Sequence, residues 1–149
     1  MEISLAVTDD IPQLCFLLDS LFSQETEFKA DTEAQSRGLH KVINSKDVGD
    51  ILVVRQHDDI IAMVNLLYTV STALGGRVGI LEDMVVTPTV RGSGVGSKLL
   101  TYAIKFAKEK GCMRLTLLTD KENLDAQRFY QQHGFSTSTM MPLRISLKE

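Results

Sequence analysis

The chain has 149 residues, 44% hydrophobic and 23% charged, the composition of one soluble domain over residues 1–149 that can bury a core without disulfides or metals. A formal net charge of −3 excludes a strongly basic nucleic-acid binder. No apolar run is longer than that of residues 60–64, far short of the roughly 18 residues of a membrane span. Cys15 and Cys112 lie among apolar neighbours and read as buried thiols of a reducing compartment. With acidic Glu2 near the start and no basic-then-apolar leader, a cytoplasmic location is expected, with neither nucleic-acid nor membrane partners. Charge is unevenly spread: residues 1–36 carry eight acids and one base, residues 76–114 seven bases and three acids. Solvated faces alone can produce this, or a site with one cationic and one anionic ligand.

In chain order, the alternation of Ile3, Leu5 and Val7 predicts a strand. Thr8, Asp9 and Asp10 then offer caps, and Pro12 suits a first helical turn leading to Leu14, Leu17, Leu18 and Leu21 at helical spacing. A second helix is predicted over about 33–44 from Leu39, Val42 and Ile43. Residues 51–55 and 60–68 are β-rich runs around the turn His57-Asp58-Asp59, and after Gly75-Gly76 residues 78–86 make a third long strand. The pattern then changes to period 3.6, with Val95, Leu99, Leu100, Ala103, Ile104 and Ala107 as an apolar stripe and Gly111 ending it. Residues 113–118 read as a strand, 123–132 as a helix, and Leu143, Ile145 and Leu147 as a last strand. The expected order is β-α-α-β-β-β-α-β-α-β.

The stretch richest in chemistry runs from Glu82-Asp83-Met84-Val85-Val86-Thr87-Pro88 to Arg91-Gly92-Ser93-Gly94-Val95-Gly96-Ser97. A strand delivers the chain to a glycine-rich turn at a helix N-terminus, where outward amides hold phosphate oxygens. Missing side chains at Gly92, Gly94 and Gly96 let a ligand approach the backbone, and Arg91 adds a fixed positive charge. A pyrophosphate is the natural guest. A phosphate-binding loop of the Walker type fails, because Ser97 precedes Lys98 and Leu99 stands where a magnesium-binding hydroxyl belongs. A dinucleotide fingerprint fits poorly, since Ser97 replaces its last small residue and an antiparallel meander precedes the turn.

The run Arg91 to Gly96 resembles the Arg/Gln-x-x-Gly-x-Gly/Ala signature of the GNAT acyl-CoA N-acetyltransferases. Glu82-Asp83-Met84-Val85-Val86-Thr87-Pro88 looks like that family's fourth strand, and Asn123, Ala126, Phe129-Tyr130 and Gly134-Phe135 look like its second cofactor motif. The match covers about residues 78–136; residues 1–77 resemble the family only in element order. The resemblance implies an α/β (α+β) fold, a mixed, mostly antiparallel sheet flanked by helices, and transfer of an acetyl group from acetyl-CoA to an amine without a metal. It further implies that backbone groups of Met84, Val85 and Val86 pair with the pantetheine arm. The amides of Gly92, Ser93, Gly94, Val95, Gly96 and Ser97 would hold the pyrophosphate.

Asn123 matches the family's polar contact to the cofactor and equally suits a helix N-cap. Tyr130 matches its general acid; the other reading is a packing aromatic with a structural hydroxyl. Glu82 is, by the same similarity, either a base acting through water or an acid lining the acceptor pocket. Asp83 is expected on the opposite face by strand alternation. His40, His57 and His133 show no metal-ligand spacing, and no nucleophile elbow is present.

An acyl-CoA sensor that binds without turnover is the alternative function, against which Tyr130 and Glu82 both argue. No motif names the acceptor, a small-molecule or peptide amine, and exposed strand edges leave room for a homodimer. Specificity is expected in loops around 22–35 and 69–77 and in the C-terminal strand region. Glu25 and Glu27, beside Phe28, are expected to border the acceptor pocket and favour a cationic amine.

Overall fold

The computed structural model describes residues 1–23 and 30–148. Five strands form one sheet in sequence order: β1 (Glu2–Leu5), β2 (Gly49–Gln56), β3 (Asp59–Ser71), β4 (Gly76–Val86) and β5 (Leu115–Leu117). The first four pair antiparallel, whereas β5 pairs parallel with β4. Helices α1 (Ile11–Phe22) and α2 (Thr32–Ile43) join β1 to β2, helix α3 (Val95–Glu109) crosses from β4 to β5, and α4 (Leu124–Gln132) follows β5. A crossover helix is what a parallel pair requires.

Both faces of the sheet are covered, so β2 reads as a continuous apolar run instead of an alternating one. Ile51 and Val53 pack with Leu14, Leu17, Leu18 and Leu39 on the α1/α2 face. Leu52 and Val54 pack with Leu99, Leu100 and Ala103 of α3 on the other. The stripe expected from Val95 to Ala107 is buried except for half-buried Ile104.

The predicted last strand is not formed. Leu143, Ile145 and Leu147 are 81–88% exposed, whereas Pro142 and Arg144 line a cavity. Alternation gives a segment two faces but not a partner, and here Arg144 meets a cavity that also holds Glu82 and Asp83. The first strand also stops early, at Leu5; just past it Ala6 donates to the Ile51 carbonyl and Val7 donates its N–H to Asp10. No helix of the described residues is long and apolar enough to cross a membrane.

One buried ion pair ties the N-terminal segment to the sheet. Arg55 donates to both oxygens of Asp10, at 2.9 Å and 2.5 Å, and to Ser4 Oγ at 3.1 Å. The Arg55 hydrogen bond holds the Asp10 carboxyl below the usual carboxylate range despite burial. The carboxylate is then more acidic folded than unfolded, so the stability it contributes is present above about pH 4 and is lost as pH falls through the folded value. Asp10→Asn is expected to cost about 2 kcal/mol in urea unfolding at pH 7, with the difference from wild type shrinking in unfolding curves below about pH 4.

Candidate active site

The site begins with an irregularity in β4. Met63 pairs with Val85 and Asn65 with Glu82, so the single residue Val64 stands opposite two, Asp83 and Met84. This is a β-bulge. Asp83 takes the extra turn with φ +54°, a left-handed conformation that Asp tolerates better than most residues. Asn65 and Glu82, as register partners, project to one face. The Asn65 Nδ2 donates to Asp83 Oδ2 at 2.9 Å, which places Asp83 on that face too. The expectation that alternation sends Asp83 to the opposite face is thereby corrected: Glu82 and Asp83 line the same cavity of about 610 Å³.

Pairing of β4 with β5 ends at Leu81↔Leu117. Beyond that point the two strands part, and the cavity opens between them, walled by Leu117, Leu118 and Thr119 on one side and Glu82 to Met84 on the other. Burial raises the Glu82 carboxyl above its ordinary value, reinforced by Asp83 and partly offset by Arg144. Burial also raises Asp83, against the hydrogen bond from Asn65.

At the end of β4 the chain makes the turn read from the sequence. Gly92 (φ +82°) and Gly94 (φ +88°) are left-handed, and Gly94 is the N-cap of α3. The first-turn amides of α3, from Val95, Gly96 and Ser97, lack intrahelical partners by the geometry of any helix. They carry the positive end of the helix dipole, which suits an anion. Arg91 Nε donates to the Val86 carbonyl at 3.1 Å, and the Ser93 hydroxyl donates to the Val90 carbonyl. Both side chains brace the turn, and the Arg91 bond holds a cation beside it.

Helix α4 supplies the third wall. Asn123 accepts from the Ala126 N–H at 3.1 Å, which realises the cap reading, and it also lines the cavity. Tyr130 reaches the cavity with its ring edge-on to Phe129 at 5.3 Å and Phe135 at 5.8 Å. Burial pushes its phenol up to about 12, so it stays protonated throughout the neutral range. His133, at the end of α4, bonds the Ser97 hydroxyl through Nε2 at 2.8 Å and the Phe129 carbonyl through Nδ1 at 2.9 Å. A carbonyl only accepts, so Nδ1 carries the proton and the Ser97 hydroxyl donates to Nε2 in the neutral ring.

The cavity thus gathers Glu82, Met84, Asn123 and Tyr130, with Asp83 added. Val85 is buried against the α1/α2 face, its side chain away from the cavity. Residues 91–97 form the adjoining turn. Sequence reasoning missed Asn65 and His133. Asn65 carried one available signal, a lone polar residue inside an apolar strand run; His133 carried none, because its partner Ser97 is distant in sequence. Glu25 and Glu27 lie outside the described residues. Among the described residues no group of three or more His, Cys, Asp and Glu is placed to hold a metal ion.

Residues 14–135 match the family model described as the acetyltransferase (GNAT) family. The chain is 31% identical over 143 residues to the uncharacterized N-acetyltransferase YhfO of Bacillus subtilis, covering 93% of this chain and 92% of that one. It is 26% identical to the aminoalkylphosphonate N-acetyltransferase of Salmonella typhimurium, covering 92% and 86%. The fold matches that of a predicted acetyltransferase with acetyl-CoA from Clostridium acetobutylicum, with a TM-score of 0.80 at 20% identity, over 98% of this chain and 96% of that one.

Two glycines of the turn-to-helix junction, Gly94 and Gly96, should respond oppositely to alanine. At Gly94 the positive φ strains any side chain although space is open, so Gly94→Ala is expected to lose about 1 kcal/mol in urea unfolding. At Gly96 an added Cβ would meet Val86, Phe129 and Met84 at 3.4–3.7 Å, ordinary contact, so Gly96→Ala should gain up to about 1 kcal/mol from helix propensity.

Proposed function

The chain belongs to the acetyltransferase (GNAT) family and is an N-acetyltransferase, and on that premise we propose that it moves an acetyl group from acetyl-CoA directly to a small-molecule or peptide amine, with Tyr130 as general acid and Glu82 as a water-mediated base. The observation carrying this reading is the convergence of Glu82, Asn123 and Tyr130 on one cavity beside the parted β4 edge and the glycine turn. That a relative acts on aminoalkylphosphonates supports a small primary amine as acceptor.

The residues present fit the donor. Past Leu81 the β5-facing edge of β4 is open for an extended arm to add as a strand would; the backbones of Met84, Val85 and Val86 supply that edge. The turn amides of Gly92 to Ser97 and the Arg91 charge hold the pyrophosphate, and the Asn123 amide bonds the arm with the N–H groups its cap leaves over. The excess of bases in residues 76–114 matches a polyanionic ligand. Bound acetyl-CoA supplies an activated thioester, so no acyl group on the enzyme is needed.

Two proton movements remain for the protein. The amine arrives as ammonium and must lose a proton before it can attack; Glu82, raised by burial, takes one more readily than an exposed carboxylate does. The departing sulfur must gain one, and the Tyr130 phenol, protonated at neutral pH, faces the cavity as a donor.

Purified protein given acetyl-CoA and a panel of amines should release CoA thiol. Tyr130→Phe should lower kcat roughly 10²–10⁴-fold while CoA affinity measured by calorimetry stays within about twofold. A variant that keeps its turnover but melts lower would make the hydroxyl structural. CoA binding with no transfer to any amine would favour the acyl-CoA sensor instead.

A further inference from the structure

His133 is a titratable side chain beside the glycine turn that the proposed reaction leaves without a task. It is the C-cap residue of α4 and joins two helix ends of opposite polarity. The ring is half-buried, next to the exposed Ser97. Its Nδ1–H donates to the Phe129 carbonyl at 2.9 Å, and its centroid lies 4.8 Å from that of the Phe129 ring, so the imidazole is held in one orientation. The other nitrogen, Nε2, stands 2.8 Å from the Ser97 hydroxyl. In the neutral ring Nε2 only accepts, so the Ser97 hydrogen is directed at the ring and the hydroxyl has only lone pairs to offer anything else. Lone pairs are the wrong polarity for an anion held by the amides of Val95, Gly96 and Ser97.

We propose that His133 and Ser97 form a proton-linked relay for the donor's pyrophosphate: as the anion enters the turn, Nε2 takes a proton from solvent and donates to Ser97 Oγ, and the Ser97 hydroxyl turns its own hydrogen to a phosphate oxygen. The proposal rests on the acetyl-CoA reading and adds to it a positioning residue outside the cavity. One N–H bond forms on the ring and one proton leaves solvent. Ser97 keeps its hydrogen throughout and only redirects it.

Helix polarity sets the balance between the two states. The C-terminal end of α4 favours a cation at its cap, whereas the N-terminal end of α3 disfavours one. In the free protein these effects oppose each other across the Ser97–His133 bond. A bound pyrophosphate offsets the positive end of α3, and the charged ring then gains a charge-assisted hydrogen bond to the hydroxyl that holds the anion. Imidazole is the side chain whose charge changes most readily near neutral pH. The Nδ1–H bond to Phe129 is the same in both states, so no ring has to move.

The charged groups on the elements that meet at the imidazole are Arg91 in the turn, Lys98 and Lys105 on α3, and Asp125 and Arg128 on α4. Arg91 bonds the Val86 carbonyl, and Asp125 pairs with Arg128. Among the described residues His133 has hydrogen bonds to Ser97 and Phe129 and no ion pair. Strand β4 brings only apolar Met84 and Val86 toward Gly96 and Phe129. An entering anion is therefore the missing counter-charge for the ring. Because CoA and acetyl-CoA share the pyrophosphate, both draw the proton, and by linkage their affinity rises as pH falls.

The test is calorimetric titration of CoA into the full chain as wild type, His133→Gln and Ser97→Ala, in two buffers of different ionisation enthalpy. Wild type should take up more protons per CoA bound than His133→Gln; the ligand's own phosphates titrate alike in both, so the difference reads the imidazole. Between about pH 8 and about pH 6 the wild-type affinity should rise about tenfold more than that of His133→Gln, the effect of one charge-assisted hydrogen bond. Ser97→Ala keeps the amide and the imidazole but has no hydroxyl to turn, so it should lose the extra uptake as His133→Gln does. In wild type alone, nitrogen-15 NMR at about pH 7 should show the His133 ring moving toward its charged form when CoA is added, which a merely structural role would not produce. Equal proton uptake in wild type and His133→Gln, undiminished uptake in Ser97→Ala, or a His133 ring that CoA leaves unchanged would each overturn the proposal while leaving CoA binding and the acetyltransferase reading intact. A wild type that binds no CoA at either pH would overturn both.

Discussion

Opposite the single Val64 of β3, β4 carries two residues, Asp83 and Met84, and the parallel pairing with β5 stops at Leu81↔Leu117 just before them. The rest of the site follows from that one inserted residue. A regular strand would continue its ladder with β5 and bury its backbone groups there. It would also send residues 82 and 83 to opposite faces. The bulge increases local twist and ends the pairing. It leaves an open strand edge where a ligand can add, and it brings two carboxylates to one wall. The strain of φ +54° at Asp83 is modest for an aspartate and is offset by the Asn65 bond.

The second constraint is the registration of two helices that approach the cavity from different sides. The turn at residues 91–97 opens α3, which is anchored by Leu99, Leu100 and Ala103 in the sheet core. Tyr130 stands on α4, a helix with no fully buried residue of its own. Its placement relies on ring contacts from Phe129 and Phe135 and on His133, which bonds Ser97 at the α3 N-terminus and the Phe129 carbonyl beside Tyr130. One imidazole thereby links the glycine turn to the residue before Tyr130. On the far side of the sheet, Asp10 and Arg55 hold the N-terminal segment against β2, so that α1 presents Leu21 and Phe22 to the cavity.

Where a local rule governs, the sequence was readable. The helical stripe at Val95–Ala107, the glycine turn and the Asn123 cap were each visible from spacing or residue type, because the helical repeat, positive φ and capping act over a few residues. What sequence reading missed depends on partners remote in the chain. Asp83 was assigned to the wrong face because a bulge is set by pairing with β3. Leu143, Ile145 and Leu147 alternate as a strand does, yet no neighbouring strand receives them and they remain exposed. The Ser97–His133 bond spans 36 residues. Asn65 could be seen as a polar residue in an apolar strand, but not what its amide would hold.

If the parting of β4 from β5 and the adjoining turn receive one extended, polyanionic acyl donor, both must respond to it together. Amide hydrogen exchange with and without CoA tests it directly. Slowed exchange confined to residues 84–86 and the amides of Gly92 to Ser97, at saturating CoA, is the predicted result. Protection at the turn alone, with residues 84–86 unchanged, would contradict it, because the bulge would then have no part in holding the donor.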